Sequence, residues 1–440
     1  MFKNGFHKLL SNPITTIVVF AVFLRLIVFV LYQQILIISD SIDYIELADL
    51  ISNWNLTGYD GKRSPGYPIL LLFNSLATTV SLQILLGIST MVLVYKSLLL
   101  LRFDVKKALI TTLFLCTFIH VIFYEFSILT ESFTLFLFTL IVYLYLKDDN
   151  QNPSIKNWCY LSLLLGILIL VKPFYFILPF VFYGFSAIQN FSIQTVFGRR
   201  LIILIAPLCC FIGWSYVNKL NTGYFVPTTF YGINTAQNCV YFAEKAPEEF
   251  HLIRDIYVKH RDDAIQNNKD VAMSIWYAYD ELIDTSGLSF VDLSYQLNEF
   301  GKVLISENPK DYIQQVFISW IDFWKTAIYW DYNHFNVPHA NKVFIGIWYV
   351  QSIVLVIFKI GFLLTFPFQL YRFAVSRKMT PELVLSTVII ITSIAQALVT
   401  YGTNSRYSYP FEFLMIILVL SCLSQSKFGK NLVSTSSKSN

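Results

Sequence analysis

The sequence predicts an all-α polytopic membrane protein, and three observations carry that reading. Only 14% of the 440 residues are charged, whereas a soluble domain carries about 25%. Hydrophobic residues make up 55% of the chain and aromatic residues 17%. Nearly uncharged stretches of roughly 17–24 residues recur, the length that crosses about 30 Å of hydrocarbon. The ten-residue alternation of a membrane barrel is missing.

Taken in order, the apolar segments are about 14–36, 82–101, 107–123, 131–147, 158–171, 174–190, 200–218, 343–366, 381–400 and 408–425, which makes ten crossings. Residues 67–80 are too short for a normal crossing and start beside Pro68, so they are expected to form a half-helix in the outer leaflet. The first span contains Arg25 and lacks a small-residue cleavage site, and is expected to act as an uncleaved signal-anchor. Lys and Arg collect in cytoplasmic loops. With the N-terminus inside, fifteen fall in inside segments and four (Lys62, Arg63, Lys172, Arg406) in short outside loops. Both termini are therefore expected in the cytoplasm of a multi-pass inner (plasma) membrane protein. The formal charge of +4 follows from this bias and does not indicate nucleic-acid binding.

Four regions result. Residues 1–218 form a first membrane block, with an outer loop at 38–66 and the half-helix at 67–80. Residues 219–342 form an extracytoplasmic loop, 343–425 a second membrane block and 426–440 a cytoplasmic tail. The loop carries ten Lys/Arg against sixteen Asp/Glu. Its stretches 264–284 and 290–306 have mixed apolar periodicity without strand-like alternation, so it is expected to be mainly helical. Asn308-Pro309 is a good helix start. Residues 311–332 are rich in Trp and Tyr and are expected to form an amphipathic helix on the outer surface. Six cysteines (Cys116, Cys159, Cys209, Cys210, Cys239 and Cys422) have neither a disulfide framework nor metal-type spacing.

Polar residues gather where spans meet outer loops. Asp40, Asp43 and Tyr44 fall at i, i+3 and i+4, on or near one face of a helix over 41–53. An ordinary helix start, capped by Ser39 or Asp40, explains them too. A carboxylate there could instead act as a general base. Glu131 opens the fourth span, with Glu125 as a nearby competitor. Arg63-Ser64-Pro65-Gly66-Tyr67-Pro68 sets a cation on a backbone fixed by two prolines. Lys172 and Arg406 are the other short-loop cations, and such groups suit a phosphate. Arg25 lies mid-span and needs a partner, for which Glu412 is one choice. Lys96 and Lys359 are expected to snorkel. Asp331, His334 and His339 form a loose outer cluster. Phosphate-binding glycine loops, HExxH and Asp-x-Asp are missing from the sequence. An enzyme outside the cytoplasm, away from nucleotides, would need a lipid-borne substrate.

These pieces together resemble the GT-C class of integral-membrane glycosyltransferases, in the bacterial branch related to protein O-mannosyltransferases and aminoarabinose transferases. The resemblance rests on Asp40-Ser-Ile-Asp-Tyr44 with Ile45-Glu-Leu-Ala48, Arg63-Ser-Pro-Gly-Tyr-Pro68 and Thr130-Glu131-Ser132. It continues through Trp214 to Asn218, Thr222-Gly-Tyr-Phe225, Asn308-Pro309 with Tyr312, and Arg406-Tyr407. It implies inverting transfer of one sugar from a polyprenyl-phosphate donor to a hydroxyl of a lipid, glycan or protein acceptor. Asp40 would be the base and Glu131 a second acid. Arg63, Lys172 and Arg406 would face the lipid phosphate, with Tyr44, Tyr67 and Tyr407 beside the substrate. Many relatives have Asp-Glu where Asp40-Ser41 stands, which leaves Asp43 open as the base. No cofactor is required, and a divalent metal stays open because some members use one. An O-antigen-type polymerase or ligase, and a transporter or flippase, are the alternatives. The first would be dominated by outer-loop arginines. The second would show internal repeats and midplane charges.

Overall fold

The computed structural model describes residues 12–73, 75–148, 154–189, 198–402 and 404–425. The tail at 426–440 lies outside them. Among the described residues the chain is helical, with one isolated β-bridge between Leu36 and Ser127. Its longer helices are α1 (Pro13–Tyr32), α2 (Ser39–Ser52), α3 (Leu76–Leu100), α4 (Val105–Cys116), α5 (Ile119–Glu125), α6 (Glu131–Lys147), α7 (Ile155–Val171), α8 (Ile177–Gln189) and α9 (Ile202–Thr222). There follow α10 (His251–Gln266), α11 (Phe290–Glu307), α12 (Pro309–Phe323), α13 (Ala340–Ser376), α14 (Pro381–Val399) and α15 (Glu412–Gln425).

Local chemistry sets many of these ends. Asn12 caps α1 by accepting from the Ile14 N–H, with Pro13 at the first position, where its missing donor costs nothing. Asp104 caps α4 through the Lys107 N–H, and Thr380 caps α14 ahead of Pro381. Gly223, at φ 84°, closes α9 in the left-handed conformation that glycine adopts without strain.

Six helices are long and apolar enough to cross a membrane, or seven if the bent pair α4–α5 is one span. This is a multi-pass membrane protein. Three of the ten expected crossings form the shorter helices α6, α7 and α8, of 17, 17 and 13 residues. Ten therefore exceeds what length and composition establish. Burial separates the helices by position. The apolar window of Ser405–Ser424 is 72% buried and that of α1 only 22%, so the former is central and the latter presents most of its surface outward.

Three expectations change. The half-helix at 67–80 is not formed: a single turn, Pro68–Leu71, is followed by a break, and Leu76 already begins the long span α3. Ser75 causes this by capping α3, its hydroxyl accepting from Thr78. The expected straight span at 107–123 is bent by 61° between α4 and α5. The Gln351 side chain makes that break tolerable. Its Oε1 accepts from the Ile119 N–H at 2.9 Å and its Nε2 donates to the Thr117 carbonyl at 2.7 Å, replacing lost helix bonds. The aromatic helix expected to reach 332 stops at Phe323, and extended chain leads on to α13.

The loop between α9 and α13 has its own core, built from Ile233, Tyr257, Leu282, Leu297, Phe300 and Leu304. Helix α11 matches its expected range closely. The stretch expected at 264–284 is instead the end of α10 followed by short helical turns. This loop and the segments that follow α1, α2 and α5 meet at the bundle end formed by the last residues of α1, α5 and α7. Leu36 exchanges backbone bonds with Phe126 and Ile128, each 3.0 Å. The Gly66 N–H donates to Leu170 O at 2.9 Å, and the Asp331 N–H to the Tyr32 phenol oxygen at 2.9 Å. Thr229 bonds to Gly61.

Candidate functional site

At this bundle end, α2 begins without a side-chain cap. Neither Ser39 nor Asp40 caps it, because the helix already begins at Ser39 with Ile38 in the cap position, and Ser41 accepts the Ile38 N–H at 3.0 Å. Asp40 and Asp43 are thus left to face outward, one turn apart. The turn carrying Arg63 is pinned against them. Tyr59 donates its phenol to the Arg63 carbonyl, and Thr228 bonds to Lys62 O at 2.8 Å. Gly66 lets this turn touch the end of α7, since a Cβ there would sit 2.5 Å from the backbone of Leu170 and Val171.

The result is a continuous row of opposite charges. Arg63 donates from Nε to Asp43 at 3.0 Å and from Nη2 to Asp40 Oδ1 at 2.8 Å. Arg406 donates from Nη1 to Asp40 Oδ2 at 2.6 Å and from Nε to Glu131 Oε1 at 2.8 Å. Lys172 Nζ donates to the same Glu131 oxygen at 3.0 Å. Three carboxylates alternate with three cations, drawn from five separate segments of the chain. The row has a floor and a mouth. The Glu131 side chain is fully buried, whereas those of Asp40 and Asp43 are 27% and 23% exposed.

Aromatic rings flank the cations. Arg63 lies 4.8 Å over Tyr44 and 4.6 Å over Phe230, Lys172 5.3 Å over Tyr407, and Arg406 5.2 Å over Tyr329. Such contacts hold a cation in place without neutralising it. Tyr67 stands behind Tyr44, edge to face at 5.1 Å, and donates to Gln83 at 3.0 Å, so it supports the wall from behind. All nine residues expected at the site therefore belong to this one assembly. Phe230 and Tyr329 are additions that sequence reasoning missed. Tyr329 lies in the aromatic stretch read as a surface helix beside the site and not as a site residue, and nothing in the sequence marks Phe230.

Electrostatics follow the geometry. Burial pushes the Asp40 carboxyl up, but Arg63 and Arg406 more than offset this and hold it well below the usual carboxylate range. Burial, against the opposing pull of Arg63, raises the Tyr44 phenol to about 12 and keeps it protonated. Burial draws Lys172 below the ordinary lysine value, with Glu131 opposing.

The other expected groups fall elsewhere. Glu125 is the partner of Arg25, which grips it with two bonds of 2.8 and 2.5 Å. Glu412 is therefore not that partner; it pairs with Lys359 at 2.7 Å and His120 at 2.8 Å. Lys359 does not snorkel, being 2% exposed inside the bundle. His334 pairs with Asp331 at 2.6 Å. Among the described residues no group of three or more His, Cys, Asp or Glu could hold a metal ion.

Fold and site together define a polytopic helical membrane protein with a row of alternating charges at one end of its bundle. Comparison of the chain with family models, with curated proteins and with solved structures finds no match.

Proposed function

We propose that this protein is a glycosyltransferase of the GT-C kind. It moves a single sugar, with inversion, from a polyprenyl-phosphate donor to an acceptor hydroxyl at the extracytoplasmic face. The observation that carries the reading is the row from Asp43 to Lys172, open at Asp40 and Asp43 and placed at the bundle end beside a helical loop. Charges at an end, rather than mid-depth, suit an enzyme acting on a headgroup. The buried charges inside the bundle are consumed by each other, Arg25 by Glu125 and Lys359 by Glu412, which gives a transporter little to work with.

The chemistry uses the side chains directly. Asp40, the more central of the two exposed carboxylates, accepts the proton of the acceptor hydroxyl. That oxygen attacks the anomeric carbon as the bond to the donor phosphate oxygen breaks. The electron pair of the broken bond leaves on the lipid phosphate, where Arg63, Arg406 and Lys172 stabilise it. An arriving phosphate competes with the carboxylates for the guanidinium donors. Drawing Arg63 and Arg406 partly off Asp40 makes that carboxylate a better proton acceptor. Glu131 keeps Arg406 and Lys172 turned toward the cleft.

The test compares envelope glycans by mass spectrometry in a deletion strain complemented with wild type or Asp40→Asn. Loss of one sugar unit, restored by wild type and not by Asp40→Asn, is the expected outcome. Full rescue by Asp40→Asn removes Asp40 as the base. A change confined to chain-length distribution sinks the single-sugar reading in favour of a polymerase.

A further inference from the structure

Lys359 occupies an unusual place for a lysine, on α13 inside the bundle and 2% exposed. All three of its ammonium donors are used, and the three acceptors lie on different segments. It donates to the Lys325 carbonyl at 2.8 Å, to Ser408 Oγ at 2.9 Å and to Glu412 Oε1 at 2.7 Å. Glu412 is held in turn from its other oxygen by His120 of α5 at 2.8 Å.

What these acceptors share is Arg406. Ser408 lies two residues beyond it, in the short helix Ser405–Ser408, and its hydroxyl also bonds to Ser405 O at 2.9 Å. Glu412 starts the next helix after the 3-10 turn Tyr409–Phe411. Lys325 begins the extended chain that carries Tyr329, the ring beneath the Arg406 guanidinium. One buried ammonium thus ties together the backbone that presents Arg406 and the non-helical segment that presents its aromatic seat.

From this geometry we infer that Lys359, with Glu412, is a positioning residue that sets the orientation of Arg406 in the site. Lys359 does not touch the row of charges itself; it acts through both segments that touch Arg406. The functional consequence rests on the reading of Arg406 as a ligand of the donor phosphate, but the structural one does not.

The experiment uses the full chain purified in detergent. Removing Lys359 alone would leave Glu412 buried without its cation and endanger folding. The variant is therefore the pair Lys359→Met with Glu412→Gln, beside Lys359→Arg, Arg406→Gln and the triple variant. Hydrogen–deuterium exchange is read over 324–332 and 404–411. The pair variant is expected to exchange faster in both segments, with the helices elsewhere unchanged. Unchanged exchange in these segments, or a uniform rise throughout, overturns the inference. Binding of farnesyl phosphate is then titrated. The pair variant should weaken it about tenfold, and Lys359→Arg less. The triple variant should be no worse than Arg406→Gln, because groups acting through one another are not additive. Multiplying losses also overturn the inference. If wild type fails to bind the phosphate while exchange behaves as expected, the donor reading falls and the positioning role stands.

Discussion

In the proposed reaction Asp40 is the residue on which the chemistry turns, since both its oxygens are held by arginines from different parts of the chain. Asp40→Asn keeps the shape and removes the proton acceptor. A lost general base costs about 10²–10⁴-fold in rate. In a transfer assay with a lipid-phosphate sugar, Asp40→Asn should fall by that order, while Asp43→Asn, which loses only one arginine contact, falls less. The reverse ranking would make Asp43 the base. The same pairing has a pH signature. The folded-state value of Asp40 is depressed, so its contribution to stability is complete above the ordinary carboxylate range near pH 4 and is lost as pH falls through the depressed value. The difference in melting temperature between wild type and Asp40→Asn should stay constant from about pH 8 to pH 5 and shrink only below about pH 4. A difference that vanishes near neutrality would mean the pairing is not made.

At the scale of elements, the break between α4 and α5 is the most testable feature. Gln351 replaces backbone bonds that the bend removes, so Gln351→Leu leaves a buried donor and acceptor unpaired. A loss of about 1–3 kcal/mol is expected for such groups, read as a lowered melting temperature in detergent. No change would show that the break is satisfied in another way. This break was not legible in the sequence, because residues 107–123 contain no Pro or Gly to mark it and the group that permits the bend lies more than 200 positions away. The same limit explains the half-helix. Pro68 and a short apolar run were read together, but the capping hydroxyl of Ser75 places the helix start inside that run. Helices with a local signal at an end, such as the Ser289 cap that starts α11 and the left-handed Gly223 that closes α9, were more legible because nothing distant decides those ends.

At the scale of the molecule, the site was legible as a set of residues and not as a network. Charge at span ends marked Asp40, Glu131, Arg63, Lys172 and Arg406. Which cation meets which acid depends on how the helix ends assemble. Lys359 and Glu412 were misjudged for the same reason, since depth in a bundle cannot be read from position along a span. The proposed orientation has a direct check. Trp54, 96% exposed just beyond α2, sits at the same end as the site. In a cysteine-free background, Trp54→Cys should react with a membrane-impermeant maleimide in intact cells. Reaction only after permeabilisation would put the cleft on the cytoplasmic side.

If the row binds a lipid phosphate as proposed, its balance of charge has a consequence for how that substrate arrives. Three acids and three bases cancel within a span of contacts all shorter than the Debye length, about 8 Å at physiological ionic strength. A row of this kind casts almost no field into the surrounding solution. A headgroup is then not drawn in from a distance, as it would be by a bare cluster of arginines. It meets the cations only once it is already among them, delivered by sliding sideways in its own leaflet, and abundant free anions in the medium have little hold on the same groups.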